Sequence, residues 1–280
     1  MLFLYIISAF LFAFLLFMLV GFLFFTGPNK RRDTSYFSGK MYAHRGLHDK
    51  EVPENSLQAF RLAKENGYGV ELDVQMTRDG KLVVFHDGTL DRMCKIDGKL
   101  KDYTYEELSK FRLINKNGVT TEELIPLFSD VLETLEGVDI ICEIKPDNGF
   151  KNYELCQKTY DMLMTHKGRF CVESFSPFLM GWFKNNHPEI IRGQLSENFV
   201  KSKGFSIANF CMSELWVNAV SRPDFVAYNH YHKTLGWKLV RKLYKPLYVA
   251  WTAKGKEEQE AAKAQYDAVI FEKEGPEMPI

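Results

Sequence analysis

Eight short apolar segments with the pattern of β-strands are spaced along this 280-residue chain, and helical patterns separate most of them. A pair of parallel strands needs a crossover connection of about a dozen or more residues, which is usually a helix. Alternation of this kind favours an α/β fold with a parallel sheet. Because eight strands suit a sheet that closes on itself, the sequence predicts a closed parallel barrel.

The limits of these elements follow the apolar pattern. The predicted strands are Met41–Ala43, Gly69–Val74, Asp139–Ile144, Phe170–Ser174, Ile190–Leu195, Phe225–Tyr228, Leu247–Trp251 and Ala268–Phe271. The predicted helices are Ser56–Glu65, Tyr153–Thr165, Phe178–Asn186, Thr234–Tyr244 and Lys256–Gln265. Asn55 is expected to cap the first of these helices, which stops near Gly67.

Composition limits the classes of protein that fit. With 46% hydrophobic and 14% aromatic residues, a chain of this length can bury one sizeable core. A formal net charge of zero gives no electrostatic case for nucleic acid as a partner. The five cysteines show no paired pattern, which favours free thiols in a reducing compartment. The sequence therefore predicts one barrel domain without a disulfide framework.

The N-terminal segment is a separate element. Residues 1–27 contain no charged side chain, and the stretch from Leu2 to Phe25 is almost wholly apolar. A bilayer core needs roughly 20 such residues, so one transmembrane helix is predicted. A cleaved signal peptide is the alternative, although the apolar run is longer than a signal core and no basic segment precedes it.

The residues after this helix predict its orientation. Lys30, Arg31 and Arg32 follow the apolar segment, whereas only the terminal amine precedes it. Positive residues favour the cytoplasmic side, which agrees with the unpaired cysteines. We therefore expect a single-pass protein of the cell membrane, with a linker at 28–39 and a cytoplasmic catalytic domain at 40–280.

One strand-like segment does not fit the alternation. Leu82–Phe85 follows the strand at Gly69–Val74 too closely for a parallel crossover. It is predicted to return as a hairpin with Asp79-Gly80 as a two-residue loop. That register places Asp73 opposite His86 and Val74 opposite Phe85. The stretch at about 88–137 would then be an insertion that forms one wall of the site.

Charged side chains recur where the predicted strands end. The motifs are Ala43-His44-Arg45-Gly46, Pro53-Glu54-Asn55-Ser56, Glu71-Leu72-Asp73-Val74, His86-Asp87 and Glu143-Ile144-Lys145. Apolar residues alternate with Glu71 and Asp73, so the two carboxylates share the opposite face of their strand. Carboxylates that point into a protein interior need a cation or hydrogen-bond donors. These segments therefore predict an active site at the C-terminal ends of the strands.

The order and spacing of these motifs resemble the glycerophosphodiester phosphodiesterase family, a branch of the phospholipase-C-like phosphodiesterases. The resemblance runs from about Tyr42 to the C-terminus. It implies a distorted TIM (β/α)8 barrel with a small insertion. The family usually has asparagine where this chain has Lys254, and threonine-aspartate where it has Phe271-Glu272. These differences concern the edge that recognises the substrate.

The resemblance implies a role for each group of polar residues. Glu71, Asp73 and Glu143 would bind a divalent ion; oxygen ligands favour Mg²⁺ or Ca²⁺, and Mn²⁺ also fits. The phosphate of the substrate would be bound by Arg45 and Lys145, and acid–base catalysis would fall to His44 and His86. Glu54 is either a further carboxylate near the metal, a carboxylate that orients a histidine ring, or only a residue that starts the next helix.

Three functions are possible for a membrane-anchored barrel of this kind, and the charged cluster argues against the third. The first is metal-dependent hydrolysis of a glycerophosphodiester to glycerol phosphate and an alcohol. The second is lysophospholipase D or another lipid phosphodiesterase, in which aromatic residues line an acyl groove; the candidates are Phe175, Phe178, Trp182 and Trp251. The third is a catalytically silent membrane scaffold, which would have no use for the cluster of charged residues. The oligomeric state and the alcohol are open.

Overall fold

The computed structural model of this protein describes residues 1–29, 32–146 and 151–273. Lys30 and Arg31, on which part of the orientation argument rests, and the last seven residues of the predicted domain lie outside this part. The strands are β1 Met41–His44, β2 Gly69–Met76, β3 Leu82–Val84, β4 Arg112–Ile114, β5 Thr120–Leu124, β6 Ile140–Ile144, β7 Phe170–Ser174, β8 Arg192–Ser196, β9 Phe225–Asn229, β10 Leu247–Lys254 and β11 Ala268–Glu272.

The helices lie mainly between the strands. They are α1 Leu2–Thr26, α2 Leu57–Glu65, α3 Asp91–Cys94, α4 Tyr105–Leu108, α5 Phe128–Thr134, α6 Tyr153–Leu163, α7 Pro177–Asn186, α8 Phe199–Lys203, α9 Ile207–Ser213, α10 Asn218–Ser221, α11 Leu235–Tyr244 and α12 Gly255–Lys263. Two 3-10 turns cover Ser35–Phe37 and Leu100–Asp102. The five predicted helices correspond to α2, α6, α7, α11 and α12.

Eight strands form a closed parallel barrel. Neighbouring strands follow the order β1-β11-β10-β9-β8-β7-β6-β2, and pairing of β1 with β2 closes the ring. Each of the eight predicted strands is present, with ends displaced by no more than three residues. The prediction of a TIM-type barrel is confirmed. Strand β3 adds to β2 as the antiparallel partner outside the ring.

Alternation along the strands separates the inside of the barrel from its outer face. On β2, Leu72 and Val74 pack into the layer between sheet and helices, so Glu71 and Asp73 face inward. On β6, Ile141 and Glu143 face inward in the same way. The lower interior is apolar and is closed by Phe37, which packs against Phe225 and other ring residues. The upper interior is therefore the polar end of the barrel.

The hairpin between β2 and β3 differs from the prediction. Val74 pairs with Val84, one residue away from the predicted partner, and Phe85 N–H donates to the carbonyl of Asp73. The backbone N–H of Thr77 donates to the carbonyl of Lys81, so the loop between them has three residues, 78–80. Its last residue, Gly80, has a left-handed φ of +75°. Three-residue loops that end in a left-handed residue are a common hairpin type, so the Asp-Gly pair did not imply a two-residue loop.

The insertion between β3 and β6 is a small layer with its own apolar core. Leu90, Leu100 and Leu108 pack there against Val83 and Phe85, and β4 and β5 form a separate two-stranded sheet. The last helix before β6, α5, packs against α2 on the outer face of the barrel. Helices α8, α9 and α10 between β8 and β9 are short and were not predicted from the sequence.

Helix α1 projects from the base of the barrel, and its last turn contacts the domain. Most of its apolar side chains are exposed, whereas Phe22 is buried against Trp216. Arg222 donates to the carbonyls of Phe24 and Gly27 at 3.1 and 3.0 Å. Residues 3–26 are long and apolar enough to cross a membrane. Because α10 precedes β9, this junction lies at the N-terminal ends of the strands.

Candidate active site

A pocket of about 370 Å³ opens at the C-terminal ends of the barrel strands. One wall is polar and contains the predicted site residues except Asp73, which lies buried behind it. The other wall is apolar and includes Phe175, Leu195, Trp251 and Ile270. Of the aromatic residues that were considered for an acyl groove, Phe175 and Trp251 line this pocket. In the same wall their rings meet edge to face, with centroids 5.5 Å apart.

Three inward carboxylates converge at the bottom of the pocket. Ligand atoms of Glu71, Asp73 and Glu143 lie within 4.8 Å of one another, and all three side chains are buried. The register of the parallel strands explains this proximity, because Asp73 on β2 is the direct partner of Glu143 on β6. Strand pairing therefore assembles the cluster from positions far apart in the sequence.

The cluster is electrostatically costly without a cation. Burial, together with Asp73 and Glu143 nearby, raises the pKa of Glu71 well above its ordinary value. Burial also raises the pKa of Glu143, although Lys145 opposes the effect. Although burial disfavours its charge, Asp73 has a lowered pKa because Lys145 and Arg45 stabilise the carboxylate. Burial without enough nearby positive charge is therefore the main cost at Glu71, and Lys145 offsets part of it at Glu143.

The donor set fits a hard divalent ion. Carboxylate oxygens are the ligands that Mg²⁺, Ca²⁺ and Mn²⁺ prefer. Within the described residues, Glu143 Oε1 is buried and has no hydrogen-bond partner. The same holds for Oε2 of Glu173, the β7 residue paired with Glu143. Buried acceptors without donors are rare in stable proteins, and a bound cation would satisfy them.

Two basic side chains lie beside the carboxylates. Lys145 Nζ is 2.7 Å from Glu143 Oε2 and 3.0 Å from Asp73 Oδ1. Arg45 Nε is 3.3 Å from Asp73 Oδ2, and its backbone N–H donates to Glu71 Oε2 at 3.1 Å. Burial disfavours both positive charges, but the carboxylates raise the pKa of both groups. Both side chains therefore stay charged in the pocket.

Glu54 contacts arginines rather than a histidine ring. Its Oε1 accepts from Arg45 Nη1 at 2.7 Å, and Arg92 of the insertion donates to both of its oxygens. Arg92 also donates to Asp87, at 2.6 Å from Nε. Glu54 thus holds the Arg45 guanidinium in place and links it to the insertion.

A carboxylate on the last strand orients His44. His44 Nδ1 lies 2.9 Å from Glu272 Oε1, while Nε2 faces the carboxylates at 3.9 Å from Glu71 Oε2. Burial and then the charge of Arg45 lower the pKa of His44 to about 4. Although burial disfavours its charge, the hydrogen bond with His44 holds the pKa of Glu272 below its ordinary value. His44 is therefore neutral near pH 7, with Nε2 free to accept a proton.

His86 lies on the side of the pocket formed by the β2–β3 hairpin. Its Nδ1 is 2.6 Å from Asp87 Oδ1, a partner of Arg92. If β3 continued in the observed register, residue 86 would point to the face of the sheet opposite to Asp73. However, β3 ends at Val84, so this constraint does not apply to His86. His86 lies beyond that end and still lines the pocket.

Comparison with known proteins identifies the family. The sequence profile of the glycerophosphoryl diester phosphodiesterase family matches residues 44–271. The match includes both histidines, the carboxylate cluster and the two basic side chains of the pocket, and it ends one residue before Glu272. The chain belongs to this family.

Relatives of the family cover part of the chain. A glycerophosphodiester phosphodiesterase of Caldanaerobacter subterraneus is 43% identical over 113 residues, which are 40% of this chain and 46% of the relative. One of Bacillus altitudinis is 34% identical over 160 residues, or 54% of this chain and 64% of the relative. The chain thus matches about half to two thirds of the length of these curated relatives.

Solved structures of the family share the barrel. A glycerophosphodiester phosphodiesterase from Thermotoga maritima superposes with a TM-score of 0.62 at 26% identity, covering 82% of this chain and 93% of that one. A phosphodiesterase from Oleispira antarctica, solved with the product sn-glycerol-3-phosphate, gives 0.69 at 24% identity and covers 85% and 94%. These solved structures therefore share the barrel fold of this chain.

Several pocket residues of this family member were missed in the sequence. Glu272 and Glu173 end their strands with the same inward alternation as the predicted ligands, and this signal could have found them. Buried His48 lies beside His44 and Glu272, and in the described part of the chain neither of its ring nitrogens has a hydrogen-bond partner. Its position in a loop gave no periodic signal.

The predicted N-cap was wrong. Ser56 caps α2, since its Oγ accepts from Ala59 N–H at 3.1 Å. Asn55 has a left-handed φ of 54°, and its side-chain amide donates to Asp73 Oδ2 at 2.8 Å. Asparagine and serine are both favourable N-cap residues, so propensity alone does not show which of Asn55 and Ser56 caps the helix. Asn55 instead helps to hold Asp73 in position.

The Glu272→Gln variant tests the orienting role of this carboxylate. We expect kcat to fall on the order of 10²-fold, because the amide can hold His44 Nδ1–H in only one of its two orientations. KM should change less, since Glu272 does not face the carboxylate cluster. Glu272→Asp should recover part of the loss, while Glu257→Gln on the exposed face of α12 should leave kcat unchanged. A fall in kcat that is accompanied by a clear drop in melting temperature, and that Glu272→Asp does not recover, would indicate a structural role only.

Proposed function

We propose that this protein hydrolyses glycerophosphodiesters to glycerol phosphate and an alcohol. The observation that supports this most directly is the arrangement of the pocket. Two histidines, His44 and His86, line the same 370 Å³ space as a buried carboxylate cluster and two fixed cations. Phosphodiester hydrolysis requires binding of one negative charge, removal of a proton from the nucleophile and protonation of the leaving oxygen.

Each side chain has a separate task in this mechanism. Arg45 and Lys145 bind the non-bridging phosphate oxygens, and Glu54 keeps the guanidinium in place. His44 accepts the proton of the nucleophile at Nε2, because it is neutral and Glu272 fixes Nδ1 as the protonated nitrogen. His86 donates a proton to the departing oxygen. The nucleophile is water, or a neighbouring hydroxyl of the substrate that gives a cyclic phosphate for water to open.

Glu71, Asp73 and Glu143 are the residues that would hold the divalent ion. When bound, it would neutralise phosphate charge and polarise the attacking hydroxyl. Lys145 contacts two of these carboxylates, so it positions them as well as binding phosphate. Asn55 donates to Asp73 Oδ2, while Lys145 lies beside the other oxygen, Oδ1. We propose Mg²⁺ or Ca²⁺ at this position, with Mn²⁺ as a substitute.

A substrate comparison tests the function. We expect glycerophosphocholine to be hydrolysed faster than lysophosphatidylcholine, with release of choline, the product common to both substrates, measured by a coupled choline oxidase. Glycerol phosphate is the second product of glycerophosphocholine, and lysophosphatidic acid is the second product of lysophosphatidylcholine. A chelator should abolish the reaction and an added divalent ion should restore it. Preference for lysophosphatidylcholine would make the protein a lysophospholipase D. Failure to hydrolyse either substrate with any divalent ion would support the scaffold reading.

We further propose that α1 anchors the protein as a single-pass membrane protein with the catalytic domain in the cytoplasm. The support is the uncharged apolar helix followed by Lys30, Arg31 and Arg32 in the sequence. The free cysteines agree with a reducing compartment; the described thiols include Cys142 and Cys171 in the barrel strands.

A reporter fusion tests this orientation. Green fluorescent protein fused after Ile280 should fluoresce in a bacterial host, and alkaline phosphatase in the same position should be inactive because it requires an oxidising compartment. The matched control carries Lys30, Arg31 and Arg32 as glutamines, which should reduce the asymmetry between the two reporters. Active alkaline phosphatase on the unaltered chain would place the catalytic domain outside. Release of the fusion into the soluble fraction would identify α1 as a cleaved signal.

A further inference from the structure

A second polar pocket lies at the base of the barrel, at the opposite end from the catalytic residues. It has a volume of about 460 Å³ and lies where the chain leaves α1. Residues after α1 and residues before β8 and β9 line it together. Its basic lining residues are Arg32, Lys184, Arg192 and Arg222. No acidic residue is among the lining residues that the structure describes, so the pocket wall has a strong excess of positive charge.

Arg192 is the most deeply buried of these cations, with 2% of its surface exposed. Its Nε donates to the carbonyl of Ser221 at 3.0 Å, and its Nη2 to that of Arg222 at 2.7 Å. Across the residues that the structure describes, Nη1 has no hydrogen-bond partner. The guanidinium is therefore held in place by two backbone carbonyls, and its third nitrogen makes no hydrogen bond within the described part of the chain.

One buried acid compensates part of this charge. Asp224 Oδ2 is 3.6 Å from Arg192 Nη1 and accepts from the backbone N–H of Arg192 at 3.0 Å. Its other oxygen accepts from Asn29 at 2.6 Å. Lys184 Nζ donates to the carbonyl of Val220 at 2.8 Å. Burial, followed by the charges of Arg192 and Arg222, lowers the pKa of Lys184. The four basic groups line one pocket, and a bound anion would reduce the repulsion between them.

The pocket is directly attached to the end of the apolar helix. Arg222 lines it and also donates to the carbonyls of Phe24 and Gly27. Pro28 and Asn29, the first residues after α1, complete the lining. In the membrane arrangement proposed above, this position is the level of the phospholipid headgroups, where basic residues attract anionic lipids.

We propose that Arg32, Lys184, Arg192 and Arg222 form a binding site for a phosphate group, occupied by the headgroup of an anionic phospholipid. Arginine suits this role because its planar donors match phosphate oxygens. A lipid headgroup and a soluble phosphate present the same phosphate oxygens to the site. The experiment must therefore separate these two sources. The site is independent of the proposed hydrolysis.

The test compares the full chain in nanodiscs of phosphatidylcholine alone with nanodiscs that also contain phosphatidylglycerol. Binding to the folded state raises the thermal midpoint, which tryptophan fluorescence can follow. We expect the anionic discs to raise it by about 2–4 °C, the shift for roughly 1 kcal/mol in a protein of this size. Inorganic phosphate added to the zwitterionic discs forms the second arm.

The variant for this test is Arg32→Gln with Lys184→Gln, because both side chains are accessible and the catalytic pocket lies at the other end. Replacing Arg192 would leave Asp224 buried without its partner, so that variant could fail to fold. The control is Lys238→Gln with Lys242→Gln, which removes the same charge from exposed positions on α11. Both double variants should melt like the unaltered chain in the zwitterionic discs.

Each outcome is decisive. Loss of most of the shift in the Arg32/Lys184 variant, but not in the control, supports the site with lipid as its source. Inorganic phosphate could instead raise the thermal midpoint while phosphatidylglycerol does not. If only the Arg32/Lys184 variant loses that rise, the result supports a phosphate site filled from solution. An equal loss in both double variants shows general surface electrostatics and overturns the proposal. No shift in either arm also overturns it.

Discussion

Replacing Glu71, Asp73 or Glu143 with the corresponding amide should lower kcat on the order of 10³-fold. The three carboxylates form the buried donor cluster, and a catalytic divalent ion contributes several kcal/mol to stabilising the transition state. Each amide keeps the shape of the side chain but removes one negative charge from the cluster. Hydrolysis of glycerophosphocholine at saturating metal gives the rate, and titration calorimetry gives the affinity for the ion.

Thermal stability separates this effect from misfolding. Burial and neighbouring carboxylates raise the pKa of Glu71 and Glu143, so their charges destabilise the metal-free fold near neutral pH. In chelator, the Glu71→Gln and Glu143→Gln variants should therefore melt no lower than the unaltered chain. Added divalent ion should stabilise the unaltered chain more than either variant.

The exposed Glu260→Gln variant on α12 controls for loss of surface charge and should behave like the unaltered chain in both measurements. Full activity of the unaltered chain in excess chelator after dialysis would show that the carboxylates serve a purpose other than metal binding.

Replacing His44 or His86 with alanine should lower kcat on the order of 10²-fold or more, as expected for loss of a general base or acid. KM should change less, because Arg45, Lys145 and the carboxylate cluster would still bind the phosphate. The measurement is steady-state hydrolysis of glycerophosphocholine. His232→Ala provides the control, since His232 is exposed and lies outside the pocket.

A substrate with a good leaving group assigns the two roles. A nitrophenyl phosphodiester needs little protonation of its departing oxygen, so a variant that lacks the acid should recover much of its rate. We expect recovery in His86→Ala and none in His44→Ala, because neutral His44 is the proposed proton acceptor. The reverse pattern would exchange the roles. Near-normal turnover of natural diesters by both variants would refute acid–base catalysis by this pair.

The frame of the barrel was predictable because it follows from local pattern. The alternation of Leu72 and Val74 with Glu71 and Asp73 on β2 states which side faces the interior, and it recurs on β6. Strand pairing then brings Asp73 against Glu143 without further information. A site of this kind can be predicted from the sequence because inward residues on neighbouring parallel strands lie next to each other.

The parts that were not predictable depend on long-range geometry. His44 and Glu272 are 228 positions apart and meet because β11 closes the ring beside β1. Arg92 reaches Glu54 from an insertion with its own core, and no periodicity in the sequence connects the two. The hairpin register depends on whether the loop has two residues or three, and Asp79-Gly80 is compatible with both lengths.

The position of α1 has a consequence for which molecules meet the catalytic residues. The helix contacts the barrel where the strands begin, and the catalytic pocket opens where they end. With α1 in the bilayer, the pocket therefore faces the aqueous phase at the far side of the domain. In this proposed arrangement, diesters that have lost both acyl chains would reach the pocket by diffusion, whereas a lysolipid would first have to leave the membrane. An anchor at this position would therefore direct the proposed chemistry toward solutes rather than toward the lipids beside it.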